Sequence, residues 1–434
     1  MPHRRILGAA VLTTAALALA AAMLPQAGSA DPTDPTDPHT IPIPAFDDDD
    51  PAKAIVARVH FDGRTRATVE STTVSAQRAH THAGDPPILR LTLSDVDDAV
   101  VDRLNAWSPL WQMGAGGGGQ LRIAASASGS FIVPFSPALS KMVIADVGLG
   151  QDVVTVDLAT PIHGFCVANP ADPDCRESDL SVDAVEPSGP LFAVLGRPVT
   201  ITVASTVGNA GADGPTDARV TRTVTAGAGV TVTPAAPDTT TVSLPVGAPQ
   251  RLLRTYTATC TQPGTHQIDF GTTVAPKLPS VVDGNAANDI RTARLSVDCA
   301  VPVTINVQPG SAQNPVNRNG STLPVAVLTT RAGEYGNPVA IDATTIVAGS
   351  VRFGSPDGLL LGGGTPETHG QVHREDALEL DERSRDGDQD ALLHFSPRAD
   401  ALTPTDTSGC VFGRMNSANG PVSFYGCDTI RVIG

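Results

Sequence analysis

The chain has 434 residues, only 4% of them aromatic, and a formal charge of −16 from 45 acids against 29 lysines and arginines. This acidic balance excludes nucleic-acid binding by phosphate neutralisation and docking on anionic membranes. Abundant Val, Thr, Gly and Pro with few aromatics reads as short strands and turns, in an all-β chain of several modules.

Residues 1–30 read as a secretory signal: His3, Arg4 and Arg5, then an apolar run from Ile6 to Leu24, then Gly28-Ser29-Ala30 as the small residues before cleavage. No later run is long and apolar enough to span a bilayer. The sequence therefore predicts a secreted, extracellular protein without membrane insertion. Residues 31–52 read as a linker, with a Pro/Asp repeat over 31–38 and four consecutive aspartates, Asp47 to Asp50.

Residues 53–177 read as a β-rich domain of no recognised family. Alternating runs begin at Ile55 and Leu89, and further strands at Gly129, Met142 and Val153. One short helix is expected here, capped by Ser94 or Asp95, with Val96, Val100, Val101 and Leu104 at helical spacing. Trp107 and Trp111, at its end, are expected to pack in the core, with an exposed carbohydrate platform as the rival reading. His80 and His82 lie in a polar turn, and five glycines over 114–119 lack the Lys-Ser/Thr of a phosphate loop.

Residues 178–300 contain eight strand-like runs separated by turn residues, the pattern of an immunoglobulin-like β-sandwich. Asp179-Leu-Ser-Val-Asp-Ala-Val185, Gly196-Arg-Pro-Val-Thr-Ile-Thr-Val203, Gly208-Asn-Ala-Gly211 and the closing turn Asp283-Gly-Asn-Ala-Ala-Asn-Asp289 resemble the adhesion-related bacterial modules called CARDB. The resemblance implies a spacer or binding unit without catalysis. Cys260 and Cys299 depart from the common pattern of that family.

Residues 301–434 form the last unit. Val303-Thr-Ile-Asn-Val-Gln-Pro-Gly-Ser311, Asn314 and Asn317, Leu323-Pro-Val-Ala-Val-Leu328, Ile341-Asp-Ala-Thr-Thr345 with Ser350-Val-Arg-Phe-Gly354, Asp386 to Phe395, and Cys427-Asp-Thr-Ile-Arg-Val432 follow in order. They resemble a C-terminal β accessory module of bacterial secreted proteins that typically opens I-D-I-K-P-G-S. The resemblance implies a module without assigned activity.

Asp386-Gly387-Asp388-Gln389-Asp390 is the most chemically pointed segment. Three carboxylates alternate beside a glycine that permits a sharp turn, and Ca²⁺ takes six to eight oxygens from such donors. Asp386, Asp388 and Asp390 are the expected ligands of a calcium ion, with Glu382 as a fourth. The loop is no EF-hand, because Ala391 and Pro397 stand where that motif needs Gly and Glu. Residues 375–390 hold eight acids against Arg383 and Arg385. Those arginines, with Ser384 and with Asn306 in place of the opening Asp, set the chain apart from the family's most acidic form.

All six cysteines follow the signal, so pairing is expected. Of the 15 connectivities open to six cysteines, their spacing favours the local one: Cys166 with Cys175, Cys260 with Cys299, and Cys410 with Cys427. Each bridge adds about 2–4 kcal/mol by restricting the unfolded chain. No G-x-S-x-G elbow or H-E-x-x-H motif occurs. The expectation is a monomeric, non-catalytic modular protein that binds an extracellular protein or glycan, or serves a structural role. The alternative is a secreted hydrolase with its catalysis in residues 53–177.

Overall fold

A computed structural model of the chain describes residues 53–76, 88–113, 121–319, 322–398, 401–418 and 420–433. The signal, the linker, His80, His82 and the 114–119 glycines lie outside the described residues. The described chain is mostly strand, and the all-β class holds.

Residues 53–177 build two larger sheets and a short two-stranded one, Trp111–Met113 with Leu121–Ile123. One larger sheet orders Ala67–Ser75, Ala54–Asp62 and Ser126–Pro134; the other orders Val100–Ala106, Leu89–Asp95, Leu139–Asp146 and Gln151–Asp157. Strand alternation sends Ile55, Ala57, Val59 and Phe61 inward onto Leu91, Phe131, Met142 and Ile144.

The helix expected over residues 94–104 is a β-hairpin. Asp95 accepts the N–H groups of Asp97 and Ala99 through Oδ1, both at 2.9 Å, and Asp98 takes φ of 65°. That closes a turn, and the next residues pair back as a strand, Leu104 opposite Leu91. Val100 and Val101 are 44% and 52% exposed, so no apolar helical stripe is buried. The side-chain oxygen of Asp95 suits a tight turn as well as a helix cap, and β-branched valines favour the extended chain. The domain's helix is instead Ala159–Ala168, where Pro161 falls in the first turn and costs no helical hydrogen bond. Ile162 and Cys166, four residues apart, are its buried positions, and Cys166 is bridged to Cys175. Trp107 is 48% exposed, against the expected core placement.

Residues 178–300 form a two-sheet sandwich. Leu180–Ser188, Pro198–Asn209, Gln250–Cys260 and Val230–Thr233 face Asp238–Leu244, Thr216–Ala226, Gly264–Pro276 and Ile290–Pro302. Val203, Val220, Tyr256, Ile268, Phe270 and Val297 fill the space between. Cys260 and Cys299 sit on opposite sheets with Cα atoms 5.7 Å apart, so their bridge ties the two layers.

The strand Ile290–Pro302 does not stop at the end of this sandwich. Val301 and Pro302 pair in parallel with Phe424 and Tyr425, and Phe192–Val194 pairs with Asp298–Ala300. The sandwich sheet is thereby continuous with Gly420–Thr429, Ser408–Ser417 and Arg352–Gly354 of the C-terminal unit. Phe192 stacks on Phe412 at 4.1 Å and leans on Tyr425 at 5.2 Å, within a buried cluster that includes Val194, Ala300 and Leu359.

A second sheet of the C-terminal unit orders Ile305–Val307, Leu323–Val327, Asp390–Phe395 and His373–Glu375. Ala391, Leu393 and Phe395 point inward with Val325, Val327, Phe353 and Phe424. Cys410 and Cys427 face each other across a strand pair and are bridged. The opening and closing segments of this unit meet at Asp428. Its Oδ2 accepts the Val307 N–H and the Asn314 side-chain amide, both at 2.9 Å, and Asn314 also donates to the Thr429 carbonyl. One carboxylate thus joins the opening and closing segments of the unit.

Candidate cation site

Asp390 opens the strand Asp390–Phe395 and is fully buried. It accepts the Thr329 N–H at 2.8 Å through Oδ1 and the Ala377 N–H at 2.9 Å through Oδ2. The Thr329 hydroxyl donates to the Gln389 carbonyl at 2.7 Å. The end of the aspartate loop is therefore fixed from both sides. Upstream, Gly387 takes φ of 89°, and the Asp388 N–H donates to Asp386 Oδ1 at 3.0 Å. This local turn is what Asp-Gly chemistry favours.

Asp388 is acted on by the charges of both other carboxylates, Asp390 and Asp386. Its Oδ1 is buried and has no hydrogen-bond partner. Burial, and then the charges of Asp390 and Asp386, push its carboxyl up to about 7. Burial also raises Asp390, against the pull of its two N–H donors.

Glu382 is not brought to these aspartates. It takes φ of 58°, its Oε2 accepts the Gly310 N–H at 2.6 Å, and its charge acts on Asp428. Glu379 faces the loop instead. It is 8% exposed, accepts the Tyr335 hydroxyl at 2.6 Å, and is raised first by burial, with Asp386 and Asp390 adding to the effect. The signal for Glu379 is its setting, one acid in the apolar run Ala377-Leu-Glu-Leu380, which marks a buried carboxylate. Asp381 serves a turn, accepting the Arg383 and Ser384 N–H groups. Arg385 donates to the Asp376 carbonyl. Asn306 is fully buried and gives its amide to the Leu378 carbonyl at 2.9 Å and the Glu379 carbonyl at 3.3 Å. An aspartate there cannot donate to either carbonyl, so Asn306 holds the loop that carries Glu379.

A second acidic node lies in the turn 283–289. Asp283 accepts the Leu180 N–H at 2.8 Å and the Asn285 N–H at 2.9 Å, and Asp179 accepts the Asn288 side-chain amide at 3.1 Å. The turn thereby anchors the first strand of the sandwich. Asp289 pays for this arrangement: burial, then Asp283 and Asp179, push it up to about 6. A carboxyl raised from 3.8 to about 6 keeps a proton in the folded state that the unfolded chain has lost. That stability is fully present below pH 3.8 and is lost as pH rises through about 6. Asp289→Asn is expected to remove the loss and raise stability at neutral pH by about 1–3 kcal/mol, read by urea unfolding at several pH values. An unchanged pH profile counts against the raised carboxyl.

A cleft of about 480 Å³ lies between residues 53–177 and the sandwich. Ser140, Thr160, His163, Arg219 and Asp283 contribute its polar lining, and no hydrogen bond joins Ser140 to His163 among the described residues.

No family model and no curated protein matches the chain. Among solved structures it is similar to a CARDB domain from Pyrococcus furiosus crystallised in complex with di-metal ions, at 24% identity, 28% of this chain, 93% of that one and a TM-score of 0.19. A solution structure of the CARDB domain from the same organism gives 24% identity, 29% and 96% coverage, and 0.19. Native alpha-2-macroglobulin from Escherichia coli, from domain MG7 to its C-terminus, is 17% identical over 42% of this chain and 24% of that one, with a TM-score of 0.21. Likenesses of this size carry no argument about activity, ligand or partner. Among the described residues no helix is long and apolar enough to cross a membrane.

Proposed function

We propose that the chain is a secreted, non-catalytic modular protein that presents β domains outside the cell to a protein or glycan partner. In this reading its C-terminal unit is the I-D-I-K-P-G-S type of accessory module, stabilised by calcium at Asp386, Asp388 and Asp390 with Glu379 beside them. Three disulfides suit an extracellular setting.

Asp388 carries the cation reading. A carboxyl raised to about 7 between two other carboxylates, with a buried oxygen lacking a donor, is a place where positive charge is missing. A proton supplies it at low pH, and a hard divalent ion supplies it at neutral pH. Each oxygen of Asp390 meets one N–H, and a carboxylate has about four lone-pair sites, so capacity for an ion remains. Binding draws in Asp386, the exposed member, with carbonyls and water completing the shell.

Calcium at a hundred times its dissociation constant is expected to stabilise the folded protein by about 2.7 kcal/mol, raising the melting temperature, and chelator to reverse the gain. Asp388→Ala should not respond. A melting temperature that ignores millimolar Ca²⁺ in both proteins removes the site. Screens against polysaccharide and peptide libraries are expected to show no turnover, and appreciable turnover overturns the non-catalytic reading.

A further inference from the structure

Three imidazoles stand together on the sheet that carries Asp390, outside the aspartate loop. His373 lies on the strand His373–Glu375, His394 on the adjacent strand Asp390–Phe395, and His369 in the turn before them. Because Ala391, Leu393 and Phe395 face the core, His394 points to the other side of the sheet. The register sets His373 opposite Leu392, so His373 and His394 are diagonal neighbours on one face.

The turn is fastened to the same strand. The Thr368 N–H and hydroxyl both donate to the His394 carbonyl, at 2.9 and 3.0 Å. Glu367, whose side chain is fully buried, accepts the Gly370 N–H and, at 3.3 Å, the His394 N–H, and lies 3.9 Å from His369 Nδ1. These bonds hold the three rings with centroids 4.8, 5.1 and 5.3 Å apart. His369 Nδ1 and His373 Nε2 are 3.2 Å apart, and His394 Nδ1 is buried with no hydrogen-bond partner. Among the described residues this is the one group of three or more His, Cys, Asp or Glu side chains whose ligand atoms all lie within 4.8 Å of one another.

Three clustered imidazoles repel one another once protonated, and nothing in the packing of a sheet requires them to meet. A metal ion gives the arrangement a use. Tetrahedral zinc with Zn–N of about 2.0–2.1 Å sets its nitrogens roughly 3.3 Å apart. The His369–His373 pair already stands at that spacing, and His394 brings a nitrogen with no other partner. Neutral imidazoles suit zinc, copper and nickel, whereas calcium demands oxygen. We infer that His369, His373 and His394 form a binding site for a divalent transition-metal ion of the zinc class, distinct in chemistry from the aspartate loop. Three nitrogens leave the fourth tetrahedral position to water on the side of His369, the exposed member.

Untagged protein freed of metal by chelator and dialysis is titrated with Co²⁺ and then Zn²⁺. One equivalent of Co²⁺ is expected to give the visible absorption of a four-coordinate ion, which Zn²⁺ abolishes and millimolar Ca²⁺ does not. His369→Ala and His373→Ala are each expected to weaken binding by more than about tenfold, since even the partners of metal ligands are worth that much. Asp388→Asn should bind Co²⁺ like the wild type. If His373→Ala loses its circular-dichroism signature of folding, His369→Ala, altered only in an exposed turn, decides the matter. Absence of stoichiometric Co²⁺ or Zn²⁺ binding in the wild type overturns the site, as does undiminished binding in the folded histidine variants.

Discussion

Asp388→Asn and Asp390→Asn are expected to change stability in opposite directions, although the two carboxylates sit two residues apart on one loop. Asp390 is fully buried and each oxygen holds a backbone N–H. Asparagine turns an NH₂ toward one of those donors and removes the charge that strengthens the other bond. The cost is about 2–4 kcal/mol. Asp388 has a buried oxygen without a donor and a carboxyl raised from 3.8 to about 7. In chelator, the proton it retains stabilises the fold fully below pH 3.8, and that stability is lost as pH rises through about 7. Asparagine there carries no charge to ionise, so near pH 8 the variant is expected to gain about 1–3 kcal/mol, a figure reduced for partial exposure of the site. The same substitution removes a calcium ligand, so the rise in melting temperature with Ca²⁺ should disappear. Unfolding curves near pH 5 and pH 8, with chelator and with Ca²⁺, separate these effects. Equal destabilisation by both variants, or a full calcium response in Asp388→Asn, contradicts the account of the loop.

Phe192→Ala is expected to cost about 3–5 kcal/mol, the penalty for emptying a large buried site. Phe192 is 1% exposed and bridges the sandwich to the C-terminal unit through Phe412 and Tyr425. Only a short parallel pairing, Val301 and Pro302 with Phe424 and Tyr425, continues the sheet across that junction. With the aromatic stack gone, calorimetry should resolve the unfolding of residues 178–300 from that of 301–434. Leu191, its neighbour, is 61% exposed, and Leu191→Ala should change stability by no more than about 0.5 kcal/mol. A single unshifted transition in Phe192→Ala shows that the junction does not couple the two units.

Much of the fold is legible in the residues because its signals are local. Alternation of apolar and polar side chains marks the strands of residues 178–300, and each of the eight runs falls inside an observed strand. Short separations favour local cysteine pairing, and the structure joins the six cysteines in that way. The turn at Asp386-Gly387-Asp388 is likewise local, a glycine with positive φ and a side chain accepting an N–H two residues on. The hairpin at 89–106 shows where local signals fail. Val96, Val100, Val101 and Leu104 fit a helical period, yet the strand Leu139–Asp146 offers Leu89–Asp95 a partner, and the sheet extends to Val100–Ala106. Pairing with a strand some fifty residues on outweighs a weak helical pattern.

By itself the sequence determined the all-β class, the strands of the sandwich, the local cysteine spacing and the alternating carboxylates at Asp386 to Asp390. Only the tertiary structure decided that Glu379 and not Glu382 faces those carboxylates, that Ile290–Pro302 carries one sheet across two units, and that His369, His373 and His394 meet. Those three outcomes depend on strand register and on side chains that donate to backbone carbonyls of distant segments, as Asn306 does to Glu379 and Thr368 to His394. Strand and turn preferences act over a few residues and are written in composition and period. Convergence of side chains is fixed by which strands pair, and in what register, which no short stretch of chain specifies.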